Sequence, residues 1–395
     1  MLLKNCKIIK TTNIIEADLR IQEDRISEIG KNLVLREGEQ TINVKGRYVT
    51  AGFVDIHTHG GYGADFMEAN AESFAKALSF HADNGTTSVV VTSCTAPKSV
   101  ILRFLQYVRK YLKNPMINTA KVAGVHLEGP YLSKKNRGAQ KLEDLKVPSE
   151  DDYSYMLEYA DIIKRVTISP EIDGATDMTR NLAYHGIVVC GGHDDGIYPE
   201  FIPAIENGLK HLTHAYSAMS ELRYIDGIRN LGLREYGLLD DALTLEFIAD
   251  NRHIPPELAK LIYKVKGADK ACVVSDSLSC AGQPADGRIY LLGISDSAQK
   301  VEIRNGLAML VGENKFAGSI TPVRKMVKNL IDTGIPICDA VRMGTLTPAK
   351  IIGREDIGEI AVGKTADLCV LEQDFSLNTV FINGKQKIIE KRESI

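Results

Sequence analysis

The sequence predicts an α/β protein built on a (β/α)₈ TIM-like barrel, with a small β-sandwich domain assembled from the two ends of the chain. Three observations carry this prediction. Through the middle of the chain, apolar runs of buried-strand type alternate with helical stretches, the pattern of a parallel sheet with crossover helices. Eight such runs can be counted, at residues 49–57, 87–92, 122–127, 166–169, 187–190, 209–214, 245–249 and 271–275. Both termini read instead as short strands joined by tight turns.

Taken in order, residues 1–50 hold candidate strands at 7–9, 17–21 and 25–30, with a turn at Glu23-Asp24. Their natural partners are at the other end, where 358–371 and 379–384 have the same texture. The sandwich is therefore expected from 1–50 and 355–395, and the barrel from 51–354. Between barrel strands, 71–82 has helical periodicity and closes on Asn84-Gly85, a C-cap signal, and 100–112 is helical again. Beyond the β/α alternation there is no repeat and no low-complexity segment.

The charge balance limits the partners. Against 48 basic side chains stand 51 acidic ones, a net charge of -3 with no long run of one sign. That leaves no electrostatic footprint for nucleic acid or a membrane surface, so the expected partner is a small molecule. The first residues lack a signal peptide's apolar core, and no apolar stretch approaches the ~20 residues of a membrane span, which points to a cytoplasmic protein. Seven cysteines without a CxxC pair argue for reduced thiols rather than a disulfide framework.

Active sites of such barrels sit at the C-terminal ends of the strands. Here the polar residues line up. The first run ends on Gly52-Phe53-Val54-Asp55-Ile56-His57-Thr58-His59-Gly60, and residues i and i+2 of a strand share a face, so His57 and His59 converge. Two imidazoles can begin a transition-metal site or sit hydrogen-bonded in a core; further ligands decide. The third run ends at His126-Leu127-Glu128-Gly129-Pro130, the fifth at His193-Asp194-Asp195 and the sixth at Thr213-His214. The seventh leads to Asp250-Asn251-Arg252-His253 and the eighth to Ser275-Asp276. His211 lies inside its strand, and His81 and His185 in helical segments, so these three read as structural.

These blocks resemble the amidohydrolase superfamily and, within it, the N-acetylglucosamine-6-phosphate deacetylase family. The likeness runs nearly end to end, through His126-Leu127-Glu128-Gly129-Pro130-Tyr131, Thr213-His214-Ala215-Tyr216-Ser217-Ala218-Met219, Ile248-Ala249-Asp250, Val274-Ser275-Asp276, Ala317-Gly318-Ser319 and Met343-Gly344-Thr345-Leu346-Thr347-Pro348-Ala349. The resemblance implies that Glu128, His193 and His214 hold the main catalytic ion and that His57 and His59 hold a second, one or two divalent ions per subunit. Zn²⁺ is expected first, though Fe²⁺, Co²⁺ and Mn²⁺ accept the same donors. It further implies deacetylation of an N-acetyl amino sugar phosphate by hydroxide held on the ion, with Asp276 taking the water proton and returning it to the leaving amine. His253 matches a histidine that contacts the sugar. Arg229 matches an arginine that binds the phosphate, commonly across a homodimer interface, with Arg223 and Arg234 as alternatives. Gln140, Ser217 and Ala218 fall at other substrate contacts.

Three positions depart from the family pattern. Gln140 stands where the family has a histidine thought to polarise the acyl carbonyl, Ser217 where it has asparagine, and Asn251 where it has glycine. All predicted metal ligands are kept while substrate-side positions change. Another N-acyl substrate, such as N-acetylgalactosamine-6-phosphate, an acylated amino acid or a cyclic amide, is therefore an alternative. A non-catalytic sugar-phosphate sensor is a third reading.

Overall fold

A computed structural model of the chain describes residues 1–294 and 298–387. The last eight residues of the expected C-terminal segment, 388–395, lie outside the described residues.

The eight apolar runs form one eight-stranded parallel sheet, ordered as in the chain. Its strands are Phe53–Thr58, Thr86–Ser93, Lys121–Glu128, Ile163–Ile168, Val188–Gly191, Leu209–Leu212, Thr244–Phe247 and Ala271–Val273. Helices pack between successive strands, among them Ala71–Asp83, Lys98–Lys113, Ala175–Tyr184 and Pro256–Lys270. The first of these starts where the Asn70 side chain accepts from Ser73 N and ends at Asn84, with Gly85 at a φ of 88°. Beyond the eighth strand the chain returns to the first. Asp276 N donates to His57 O at 2.9 Å, His59 N to Ser277 O at 2.9 Å, and Thr58 and Ser277 form a parallel bridge. The two edges of the sheet thus meet at the end where the site residues cluster.

The run expected as a single strand over 49–57 is two. Tyr48–Ala51 lies in a second sheet, between Leu2–Ile9 and Leu368–Leu371, and Phe53–Thr58 opens the parallel sheet. Both pieces are buried and apolar, so hydrophobicity runs on across the joint while the backbone changes sheets at Gly52. That second sheet unites both termini: Lys385–Lys387, Leu377–Ile382, Leu368–Leu371, Tyr48–Ala51, Leu2–Ile9, Ile14–Gln22 and Arg25–Gly30 in order, with Thr41–Asn43 also on Leu2–Ile9. It has its own core, including Leu3, Ile8, Leu19, Val49, Leu368 and Phe381.

A four-stranded antiparallel sheet not anticipated from the sequence follows the eighth strand: Ile289–Leu292, Gln299–Arg304, Leu307–Leu310 and Phe316–Gly318. Its strands are only three to six residues long, and two of them are half-exposed, which leaves little periodicity to announce them.

Two predictions follow from packing at the joint and beneath the first strand. A Cβ on Gly52 would lie 2.2 Å from Thr87 Oγ1 and 2.8 Å from its Cβ, which is fixed to the neighbouring strand. Gly52→Ala should cost about 1–3 kcal/mol through overpacking, read as a lower denaturation midpoint. Second, burial pushes the His81 imidazole, bonded at 2.9 Å to Thr58 Oγ1, down to about 3 from an ordinary 6.5. Between those values the unfolded chain takes up a proton that the folded protein does not. Its share of stability is therefore present above pH ~6.5 and is lost as pH falls, by about 1.4 kcal/mol per unit. His81→Gln should flatten the acid limb of stability against pH, measured by urea denaturation from pH 7 to 5.

Candidate metal centre and substrate cavity

Glu128 ends the third strand and is buried. Its Oε1 lies 3.0 Å from His193 Nε2 and 2.9 Å from His214 Nε2, and those two nitrogens are 3.1 Å apart. Its Oε2 lies 3.4 Å from His59 Nε2, and His57 Nε2 is 3.6 Å from Oε1. Two groups able to hold an ion therefore share this one carboxylate: Glu128 with His193 and His214, and Glu128 with His57 and His59. Asp276 completes the cluster, with Oδ1 at 3.3 Å from His59 Nε2 and 3.5 Å from His57 Nε2.

The donor set fits a divalent ion. His193 Nδ1 faces the Asn136 carbonyl at 2.9 Å, and a carbonyl only accepts, so the ring hydrogen is there and Nε2 presents a lone pair to the centre. His57 Nδ1 donates to Glu246 Oε1 at 2.7 Å, and His57 Nε2 is buried without a hydrogen-bond partner among the described residues. Bare imidazole nitrogens turned toward one carboxylate are what a borderline cation satisfies. Charge agrees. Burial opposes ionisation of Glu128, but His57, His193 and His214 outweigh it and hold the carboxyl well below its ordinary range. In return, against the effect of burial, Glu128 and Asp276 push His57 far above its usual value and His59 up to about 9. The cluster calls for positive charge, and protons compete with a metal for it.

Three of these residues take backbone conformations that side-chain-bearing residues avoid: φ is 51° at His193, 28° at His214 and 45° at Asp276. Such strain persists only where the surroundings over-determine it, and it gathers at working sites.

The centre opens into a cavity of about 800 Å³ lined on one side by His193, His214 and Asp276. Ser217, Ala218 and His253 line it as well, and the antiparallel sheet supplies Leu307, Met309 and Phe316 as the far wall. His253 is held by Asp250, Nδ1 to Oδ2 at 2.8 Å, and packs on the Phe316 ring at 4.5 Å between centroids. Asn251 has a φ of 62°, so it adopts the left-handed conformation that a glycine there would supply.

Two expected contacts are placed elsewhere. Gln140 does not line this cavity: its Nε2 donates to Glu128 Oε2 at 2.7 Å and its Oε1 accepts from Thr95 N at 2.7 Å. Both ends of the amide are engaged by the protein, so its contact is with the carboxylate. Arg229 sits on an exposed hairpin, Arg223–Ile225 with Ile228–Asn230, its guanidinium 4.9 Å from the Tyr224 ring and outside this chain's cavity. Arg223 pairs with Asp195 and Arg234 with Glu221. The cations that do line the cavity are Lys135, Arg137, Arg304 and Lys315, which no sequence signal singled out.

Also missed were the buried charges beneath the centre. Asp55 accepts from Ser275 N at 3.2 Å and from Ser275 Oγ at 2.5 Å, and Glu246 accepts from His57, His211 and Arg165. Each is a charged residue inside or at the margin of an apolar strand run, the one signal that could have flagged them. His211 is buried within its strand and bonded to Glu246 and Thr244.

The sequence profile of the Amidohydrolase family matches residues 48–387. The chain belongs to the amidohydrolase family. This amidohydrolase is 31% identical to the N-acetylglucosamine-6-phosphate deacetylase of Vibrio furnissii, over 85% of its own length and 81% of that protein. It is 28% identical to the N-acetylgalactosamine-6-phosphate deacetylase of Escherichia coli O157:H7, over 84% and 86% of the two chains. Among solved structures, a mutant N-acetyl-D-glucosamine-6-phosphate deacetylase from Mycobacterium smegmatis, in complex with N-acetyl-D-glucosamine-6-phosphate, superposes with a TM-score of 0.88 at 27% identity, covering 98% of this chain and 99% of that one.

The shared carboxylate makes a prediction about metal content. Glu128→Gln should remove nearly all bound divalent ion and nearly all activity, because both candidate groups lose their anion. Changing His57 and His59 to asparagine should lower metal content while leaving measurable turnover. Elemental analysis of purified variants beside acetate release checks both, and equal losses would show a single inseparable site.

Proposed function

We propose that this amidohydrolase cleaves the acetamide of N-acetylglucosamine-6-phosphate to glucosamine-6-phosphate and acetate. The observation that carries the reading is the juxtaposition, at one end of a cavity, of a carboxylate–imidazole cluster with Asp276. Glu128, His193 and His214 would hold the main ion and His57 and His59 a second, Zn²⁺ being our first choice of metal. A bound divalent ion supplies Lewis acidity, polarising the acyl carbonyl and acidifying water. The chain's own residues do the rest. Asp276 is buried, yet His57, His59 and His214 hold its carboxyl below the ordinary value, so it is ionised and ready to accept a proton. It takes the proton from the attacking water as the oxygen bonds to the carbonyl carbon, and returns it to the nitrogen as the C–N bond breaks. His253, Ser217 and Ala218 would orient the sugar, and Gln140 would act on the acyl group only through Glu128.

The architecture we read around this site is a closed (β/α)₈ barrel over 51–354 and a small β-sandwich from 1–50 and the described part of 355–395. The backbone bonds between the first strand and the segment after the eighth support closure, and the separate terminal core supports the division. We read the protein as a cytoplasmic homodimer. Among the described residues no helix is long and apolar enough to cross a membrane, and all seven cysteines are free. In this reading Arg229, on a hairpin beside exposed Tyr224 and Ile228, would be lent to a partner subunit's phosphate rather than to its own.

A second reading, N-acetylgalactosamine-6-phosphate as substrate, is favoured by Ser217 on the cavity wall and by the relative in Escherichia coli O157:H7. Measuring kcat/KM on both 6-phosphates and on the unphosphorylated sugars decides. The glucosamine isomer should be preferred and omission of phosphate should be costly; the reverse order overturns the first reading. Asp276→Asn should lower kcat about 10²–10⁴-fold with metal content kept.

A further inference from the structure

Beneath the cluster, Glu246 of the seventh strand is fully enclosed and touches four groups from three other strands. Its Oε1 accepts from His57 Nδ1 at 2.7 Å and from the His214 backbone N–H at 3.3 Å. Its Oε2 accepts from His211 Nε2 at 3.1 Å and from the Arg165 guanidinium. Arg165, likewise without exposure, also donates to the carbonyl of Ile56, the residue before His57, at 3.0 Å. One buried ion pair therefore braces both the backbone and the ring of the first histidine of the strand-one pair. Among the described residues His59 has no such anchor, since its Nδ1 is buried without a hydrogen-bond partner there.

We propose that Glu246, held by Arg165, is the positioning residue for His57: it keeps the ring hydrogen on Nδ1 and so leaves Nε2 bare toward Glu128 and Asp276. The inference rests on the reading of His57 as a metal ligand. Its chemistry is specific. A carboxylate accepts at both oxygens, so it satisfies Arg165 and His57 together. The amide of glutamine cannot. Arg165 only donates, which turns the amide oxygen toward Arg165 and the NH₂ toward His57 Nδ1. His57 must then accept there and carry its hydrogen on Nε2, where the ion would bind. A residue that merely stabilised the fold would, on losing its charge to Arg165, lower folding stability without lowering the metal affinity of the folded protein.

Zinc affinity of the full-length protein, measured by competition with a chelator, tests this in wild type, Glu246→Gln, His57→Asn and the double variant. Loss of outer partners of metal-bound histidines typically weakens binding about 10–100-fold, and Glu246→Gln should fall in that range for the ion that His57 would hold. The double variant should bind no more weakly than His57→Asn alone. Wild-type affinity in Glu246→Gln, or losses that multiply in the double variant, would overturn the inference while leaving His57 a ligand. Wild-type affinity in His57→Asn would instead sink the ligand reading and this inference with it. Should Glu246→Gln fail to fold, ¹⁵N-histidine spectra of zinc-loaded wild type decide. A proton on His57 Nδ1, identified by its absence in His57→Asn, supports the assignment, and a proton on Nε2 overturns it.

Discussion

A single buried carboxylate facing four imidazoles is the constraint on which the rest of the structure depends. Glu128 presents one oxygen to His193 and His214 and the other toward His59, with His57 at 3.6 Å. Isolated, such a group would be driven neutral by burial. Surrounded by imidazoles from the first, fifth and sixth strands, it is kept ionised, and it fixes how far apart those strand ends can be. The left-handed backbone at His193, His214 and Asp276 is a consequence: each chain turns sharply off its strand so that a side chain points inward rather than along the next loop.

Below the centre lies a polar layer that a parallel sheet does not need for its own sake. Arg165 and Glu246, Asp55 and Ser275, and His126 with Thr167 and Thr213 link strands one, three, four, six, seven and eight by side-chain bonds. A buried ion pair contributes little net stability compared with apolar side chains of similar volume. What it contributes here is direction. Rings and carboxylates resting on fixed partners present a defined lone pair to the centre, and a purely apolar floor would leave them free to turn.

The sequence positions that depart from the family pattern are explained by backbone and hydrogen bonds more than by the substrate. Asn251 adopts a positive φ and carries His253 on a loop still tied to Asp250, so glycine is not required there. Gln140, between Thr95 and Glu128, braces the carboxylate that joins the two candidate metal groups. Ser217 alone faces open cavity, and it is where a change in sugar preference would be felt directly.

Periodicity and residue type by themselves determined the parallel α/β architecture and the cluster. Eight apolar runs of strand length can be buried only by helices on the sheet, and histidines, glutamate and aspartate at the ends of those runs fall on one rim because all the strands are parallel. Tertiary structure decided what periodicity is blind to. The switch of sheets at Gly52 leaves hydrophobicity unbroken, and the strands of the antiparallel sheet, three to six residues long, are too short to announce themselves by periodicity. Glu246 and Arg165 read in sequence as charges at or beside strand positions, and only three-dimensional proximity reveals that they face each other and His57. Arg229 is the plainest case. The family resemblance implies a phosphate ligand at Arg229, Arg223 or Arg234, yet where a guanidinium can reach depends on the path of the hairpin that carries it, and for Arg229 that path leads outside its own cavity.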